Sequence, residues 1–161
     1  MEKKIYQLSF TEYSLIEELT DEERDLLRKA HDAVEASYAP YSKFHVGAAV
    51  LLEDGTVVLG SNQENAAYPS GLCAERVALF AASAQYPNLA VKSIAITVHS
   101  EKSMVDEPLP PCGACRQVMS EYEYRGGQDM KVILQGETGT IQIIDRASTL
   151  LPLTFNANHL K

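Results

Sequence analysis

The chain has 161 residues, a length that suits one domain with a single sizeable core. Apolar residues make up 45% and charged residues 22%, which is ordinary for a globular protein and argues against disorder, collagen or a coiled coil. The formal charge is −8 and the densest basic cluster lies among acids on one predicted helix, so nucleic acid is not expected as a partner.

Residues 1–19 alternate only weakly between apolar and polar side chains. We interpret them as an N-terminal extension that lays one strand over the domain, and we assign them no function. The single catalytic domain is predicted to span 20–161. Its first helix begins at Thr20, because Thr20-Asp21-Glu22-Glu23 has the pattern of a capping box. Apolar residues then recur at helical spacing until Pro40.

A β-hairpin follows this helix. An apolar run from Phe44 to Leu52 predicts the first strand, Asp54-Gly55 predicts the turn, and residues 56–60 predict the return strand. Hairpin strands pair antiparallel, so these two strands begin a sheet.

Two further helices are predicted to begin near Cys73 and near Cys112. A strand at 93–98 lies between them, followed by an irregular loop from Ser100 to Pro111. The remaining elements are strands at 131–134 and 140–144 and a short helix at 147–151. This order predicts an α/β fold, a three-layer α/β/α sandwich with a mixed sheet of about five strands.

The sequence contains no window near ~18 consecutive apolar residues, so no membrane-spanning helix is predicted. The first residues lack the apolar run of a secretory signal. Three cysteines are few and odd in number for a disulfide scaffold. We therefore expect a cytoplasmic protein whose thiols act as ligands or nucleophiles.

All three cysteines lie at predicted helix starts. Cys112 and Cys115 form a CxxC motif after a Pro-Pro pair, and Cys73 precedes them by 39 positions. A helix N-terminus stabilises thiolate, and three thiolates suit Zn²⁺. Since none of the four histidines has a ligand-like spacing to them, we expect one open coordination position, which is typical of catalytic zinc.

Two charged residues follow Cys73 and extend this interpretation. Glu75 is a poor fourth ligand, but a carboxylate beside a metal site can move a proton. Arg76 can donate to the thiolate sulfurs and offset their charge. A redox dithiol leaves Cys73 and Glu75 unexplained, a structural zinc site lacks its fourth ligand, and ordinary buried cysteines explain neither motif.

The CxE and PCxxC pair is the known signature of zinc-dependent deaminases. Beyond it, the sequence closely resembles the small homotetrameric cytidine deaminases over roughly residues 25–155. The runs that carry this resemblance are Tyr38–Phe44, Val46–Ala49, Asn62–Tyr68, Cys73–Arg76, Pro111–Gln117, Leu150–Pro152 and Phe155.

The resemblance implies a role for each matching residue. Cys73, Cys112 and Cys115 would bind one Zn²⁺ per chain and Glu75 would be the proton shuttle. Asn62 and Glu64 would grip the ribose, chiefly its 3′-hydroxyl, and Phe44 would pack against pyrimidine and sugar. The N–H of Ala74 and the carbonyl of Pro111 would orient the base. Tyr68 and Phe155 would contribute to the sites of neighbouring subunits in a homotetramer.

The implied activity is hydrolytic deamination of cytidine and 2′-deoxycytidine to uridine and 2′-deoxyuridine, with release of ammonia, in pyrimidine salvage. A deaminase for another aminated heterocycle, of the blasticidin type, is the alternative within the same chemistry. A non-catalytic zinc module is the alternative from a different class. In that case Glu75 would be dispensable.

Overall fold

The computed structural model describes residues 1–160, which form one mixed sheet covered by helices on both faces. The predicted domain ends at Lys161, outside the described residues. The helices in this range are α1 (Asp21–Ala33), α2 (Ala74–Gln85) and α3 (Gly113–Gly126). The strands are β1 (Thr11–Tyr13), β2 (Phe44–Leu52), β3 (Val57–Ser61), β4 (Val91–Ser100), β5 (Lys131–Gln135) and β6 (Ile141–Ile144).

The sheet has the order β1-β6-β5-β4-β2-β3, in which β4 and β5 are parallel and the other pairs are antiparallel. The predicted α/β sandwich is confirmed, but the expected strand count of about five was wrong. Across residues 1–160 the sheet has six strands, because Thr11 and Tyr13 pair with Ile143 and Ile141 at the open edge of β6. Three residues are too few for a periodic pattern to show in the sequence.

Alternation along β2 divides the core into two layers. Ala48 and Val50 pack with α2 and α3, whereas Ala49 and Leu51 pack with α1. Both Ala48 and Ala49 are fully buried. The cluster on the α2 and α3 side continues to Phe44 and Val46, so that face of the sheet supplies one wall of the cavity described below.

The contact between β3 and α2 depends on Gly60. A Cβ atom there would lie 2.4 Å from the Ala78 nitrogen and 2.6 Å from the Ala74 carbonyl oxygen. Only a residue without a side chain allows the strand this close to the helix. The close packing fixes the start of α2, where Cys73 lies, against the sheet.

The predicted start of α1 is confirmed in detail. The Thr20 hydroxyl accepts from the Glu23 N–H at 3.3 Å, and the Glu23 carboxylate accepts from the Thr20 N–H at 3.0 Å. Glu23 also pairs with Lys131 of β5 at 2.5 Å. Among the described residues, no helix is long and apolar enough to cross a bilayer.

Candidate active site

Two helix starts bring the three cysteines together. Cys73 and Cys112 are the N-cap residues of α2 and α3, and Cys115 lies on the first turn of α3. The Sγ–Sγ distances are 3.8 Å from Cys73 to Cys112 and 3.5 Å from Cys112 to Cys115. In residues 1–160 they are the one group of three or more His, Cys, Asp or Glu side chains close enough to hold a metal ion.

The spacing of the sulfurs fits a tetrahedral zinc ion. Sulfurs bound at about 2.3 Å in tetrahedral geometry lie about 3.8 Å apart. The three Sγ atoms, all within 4.8 Å of one another, are close to that arrangement before any ion is added. The set is soft and anionic, which Zn²⁺ favours, and three ligands leave one coordination position for water.

Without a metal, the pKa values of the Cys73 and Cys115 thiols are shifted in opposite directions. Hydrogen bonds from Cys115 and Arg76 lower the pKa of Cys73 to about 5, despite the opposing effect of burial. The pKa of Cys115 is raised, because its thiol hydrogen-bonds Cys73 and because it is buried near the Glu75 carboxyl. The helix dipole at the start of α2 also favours the thiolate form of Cys73.

Glu75 lies on the first turn of α2 and is 5% exposed. Burial raises the pKa of its carboxyl, and the negative charge of Cys73 raises it further. A carboxyl shifted upward is suited to accept and return a proton near neutral pH. It also lines the cavity, so its proton can be exchanged with a bound molecule.

Arg76 donates from Nη2 to the Cys73 sulfur at 3.4 Å. This bond raises the pKa of the guanidinium and places a positive charge beside the thiolates. Its Nε is buried without a hydrogen-bond partner among the described residues. A cation in this position can offset thiolate charge.

A cavity of about 720 Å³ opens above Cys73, Cys112 and Glu75. Its other lining residues include most of the predicted substrate contacts and several that sequence reasoning did not single out. The predicted substrate contacts among them are Phe44, Asn62, Glu64 and Tyr68, and the additional residues include Ser42, Val46, Leu72, Leu109 and Pro110. Arg76, which was predicted to act on the thiolates, also lines the cavity. The proximity of Leu109 and Pro110 to Cys112 in the sequence is the signal that could have found them.

The polar groups of Asn62 and Glu64, the two residues predicted to grip the ribose, already have protein partners. Asn62 accepts from the Val46 N–H and donates to the Phe44 carbonyl, both at 2.8 Å, so its amide fastens the start of β2. Glu64 accepts from the N–H groups of Tyr41 and Ser42 at 2.9 and 3.2 Å. A hydrogen bond from Ser42, with those of the backbone, lowers the pKa of Glu64 and keeps it a carboxylate.

The two groups predicted to orient the base lie at the helix starts. Ala74 is buried as the first residue of α2, so its N–H has no partner within the helix. The Pro111 carbonyl accepts from Arg116 Nε at 2.8 Å. One of its lone pairs is therefore in use, and the other remains for a ligand.

The two aromatic residues predicted to be shared between subunits are far more exposed than the buried Ala74. Tyr68 is 74% exposed at the cavity mouth, edge-on to Tyr41 at 6.0 Å. Phe155 is 57% exposed, and its ring stacks on His159 at 5.4 Å. Among residues 1–160, the lining of this chain's own cavity includes Tyr68 but not Phe155.

Comparison with known proteins gives these features a family. The profile described as the cytidine and deoxycytidylate deaminase zinc-binding region matches residues 20–126. The chain belongs to this family. Both cysteine motifs fall inside the matched range, and the chemistry common to the family is hydrolytic deamination.

Individual relatives agree with the family match. A cytidine deaminase from Halalkalibacterium halodurans is 44% identical over 135 residues, which cover 84% of this chain and 95% of the relative. One from Sporosarcina psychrophila is 41% identical over 84% of this chain and 92% of its own. The crystal structure of cytidine deaminase from Burkholderia pseudomallei superimposes with a TM-score of 0.71 at 39% identity, covering 85% of this chain and all of that one.

Proposed function

We propose that the protein is a zinc-dependent cytidine deaminase. It converts cytidine to uridine and 2′-deoxycytidine to 2′-deoxyuridine, releasing ammonia, and serves pyrimidine salvage in the cytoplasm. The observation that carries the proposal is a buried carboxyl, Glu75, beside three clustered thiols at the base of a cavity of about 720 Å³, a volume in the range of small-molecule sites. Relatives named cytidine deaminase, up to 44% identical, support this substrate.

Cys73, Cys112 and Cys115 would hold the Zn²⁺, which when bound supplies a water activated for attack. Arg76, at 3.4 Å from the Cys73 sulfur, reduces the net negative charge of the thiolates. The start of α2 fixes Glu75 next to these ligands, so the proton acceptor and the metal site share one helix.

Glu75 moves the protons of the reaction. It takes one proton from the water that attacks C4 of the pyrimidine and delivers it to N3. It then passes the second proton of that water to the exocyclic amino group, which leaves C4 as ammonia. Burial supports both directions of transfer, since it raises the pKa of the Glu75 carboxyl towards the working pH.

The charges around the cavity favour a nucleoside over a nucleotide. Among residues 1–160, the charged residues that line it are Glu64, Glu75 and Arg76, and Arg76 already faces the Cys73 sulfur. A phosphate would therefore meet no free cation there. A clamp on the 3′-hydroxyl by Glu64 and Asn62 accepts ribose and 2′-deoxyribose alike.

We also propose a homotetramer whose subunits share their sites. The exposure of Tyr68 at the cavity mouth and of Phe155 outside its own cavity supports this arrangement. Large exposed aromatic rings are typical of interface residues. Three free thiols, of which Cys115 is buried, support a reducing compartment.

Ultraviolet absorbance of the purified protein with cytidine and with 2′-deoxycytidine tests the function, with zinc per chain measured on the same sample. A fall at the cytosine band with both nucleosides and about one zinc per chain is expected. Cytidine 5′-monophosphate is the control. It should react at least about tenfold more slowly, because its phosphate would find no cation to pair with in the cavity. A full zinc complement without any fall contradicts the nucleoside proposal and directs the search to other aminated heterocycles.

A further inference from the structure

The loop of residues 101–111 joins β4 to the metal-binding start of α3. Leu109 and Pro110 near its end line the cavity, and Cys112 follows directly. The loop has no regular secondary structure, so its position depends on contacts with the rest of the molecule.

The side chain of Glu137, in the turn between β5 and β6, supplies the central contact. Its Oε1 accepts from the N–H groups of Ser100 at 3.1 Å and Val105 at 3.2 Å. Its Oε2 lies 2.8 Å from His99 Nδ1. The Glu137 N–H in turn donates to the Val105 carbonyl at 2.7 Å. One residue thus binds the last part of β4 and the middle of the loop.

The backbone of the turn also touches the loop. A Cβ atom at Gly136 would lie 2.4 Å from the Val105 carbonyl oxygen, and one at Gly139 would lie 2.0 Å from that of Asp106. Gly139 has φ +84°, which favours glycine in any case. The buried Thr97 hydroxyl donates to the Gly136 carbonyl at 2.9 Å and fixes the turn to β4.

The Glu137 carboxyl is charged in this setting. Its side chain is 17% exposed, and the hydrogen bond from His99, with those from Ser100 and Val105, lowers its pKa. Hydrogen bonds to a carboxylate are roughly twice as strong as those between neutral groups. The contacts are therefore strong enough to hold a loop that has no helix or strand of its own.

We propose that Glu137 is a positioning residue for the active site. By holding Val105 it fixes the loop, so that Leu109 and Pro110 form a firm wall for the pyrimidine and its sugar. The inference rests on the proposed function for the nature of the ligand. Glu137 contacts β4 and the loop and does not line the cavity, so its effect on substrate is indirect.

Three variants of the full-length protein test the proposal: Glu137→Ala, Glu137→Gln and, as a matched control, Glu101→Gln. Glu101, the first residue of the loop, also pairs with a histidine, His45 at 3.0 Å, but its carboxylate accepts from no backbone N–H of the loop among the described contacts. Glu137→Ala should raise KM for cytidine about tenfold and leave kcat within about twofold of wild type. This pattern is expected when a wall that contributes to substrate binding is no longer held in position. Glu137→Gln should raise KM less than Glu137→Ala, because its amide oxygen still accepts both N–H bonds although without the charge. Glu101→Gln should stay near wild type.

Hydrogen exchange of the 101–111 peptides gives a readout independent of turnover. Exchange should accelerate most in Glu137→Ala, less in Glu137→Gln and not in Glu101→Gln, with zinc content unchanged in all three. An unchanged KM in folded Glu137→Ala overturns the proposal, whether exchange rises or not. If this variant fails to fold, Glu137→Asp, whose shorter side chain cannot reach both N–H groups and His99, takes its place. If the wild type leaves cytidine intact, the proposed function fails, and exchange alone then decides whether Glu137 holds the loop.

Discussion

The base and the rim of the cavity differ in how completely one chain builds them. At the base, the thiols and Glu75 lie on two helix starts packed against a sheet, and Glu75 is 5% exposed. Tyr68, at the rim, is 74% exposed, and Phe155, which lies outside this chain's own cavity, is 57% exposed. The groups proposed for the chemical step are therefore preorganised within the chain, whereas the two aromatic side chains proposed to be shared are largely exposed in it.

The difference has a physical origin. A metal site needs several donors within a few tenths of an ångström of their final positions, which rigid helix starts provide. A ring contact tolerates wider variation and gains most from excluding water, which a second subunit can do. The predictions below test each part of this comparison, from the largest expected effect to the smallest.

Removing a ligand should abolish activity. Cys115→Ser replaces the buried sulfur with a hydroxyl, a poor ligand for zinc, so zinc should fall far below one per chain and turnover to background. Metal analysis and the absorbance assay measure both. As a control, wild type stripped with a chelator should recover when zinc returns. A Cys115→Ser protein that keeps a full zinc complement contradicts the ligand assignment.

Glu75→Gln should lower kcat by about 10²–10⁴, the range for loss of a general acid–base. Zinc content and melting temperature should stay near wild type, because the amide occupies the same buried space. The neighbouring change Arg76→Lys is the comparison and should cost less, since it keeps the charge beside Cys73. Unchanged turnover in Glu75→Gln would mean a non-catalytic zinc module.

Phe155→Ala should raise KM for cytidine about tenfold, the value of one buried aromatic contact. The control is Leu153→Ala, a nearby side chain that is 100% exposed. Mixing subunits of Phe155→Ala with subunits of Glu75→Gln and letting them reassemble then tests directly whether neighbouring subunits share their sites. Some mixed sites would combine an intact Glu75 with a neighbour's intact Phe155, so activity should exceed the sum of the two variants. Absence of any gain, or a fully active monomer in gel filtration, contradicts shared sites.

Glu23→Gln should lower stability by about 1 kcal/mol at neutral pH, the scale of one capping interaction. Burial alone would raise the pKa of Glu23, but hydrogen bonds from Lys131 and Thr20 outweigh it and lower the pKa below its ordinary 4.5. A depressed carboxyl pKa stabilises the fold above the unfolded value and loses this contribution as pH falls through the folded value. The difference in melting temperature should therefore be largest near neutral pH and shrink below about pH 4. Equal differences at all pH values contradict this assignment.

Local signals explain which parts of the fold were predictable. The capping box at Thr20 and the helix starts near Cys73 and Cys112 depend on residues within one turn, and all three are confirmed. The sequence predicted a strand within residues 1–19 but not its position, because β1 forms by pairing with β6, some 130 positions away. The division of the chain into 1–19 and 20–161 stays a prediction.

The candidate site shows the same division. Sequence motifs alone pointed to the thiols and to Glu75, because the CxE and CxxC spacings each act within one helix start. The Glu137 contacts with Ser100 and Val105 span 37 and 32 positions, and no spacing along the chain encodes them.

The sequence by itself pointed to the three thiols, to the Glu75 carboxyl and to the helix starts that present them, since each motif spans only a few residues. The tertiary structure alone decided what surrounds that chemistry. It turned the Asn62 amide towards the backbone of β2, held Glu64 against the N–H of Tyr41, and left Phe155 outside its own cavity. These outcomes depend on how distant backbone segments pack and which hydrogen bonds that packing leaves to satisfy.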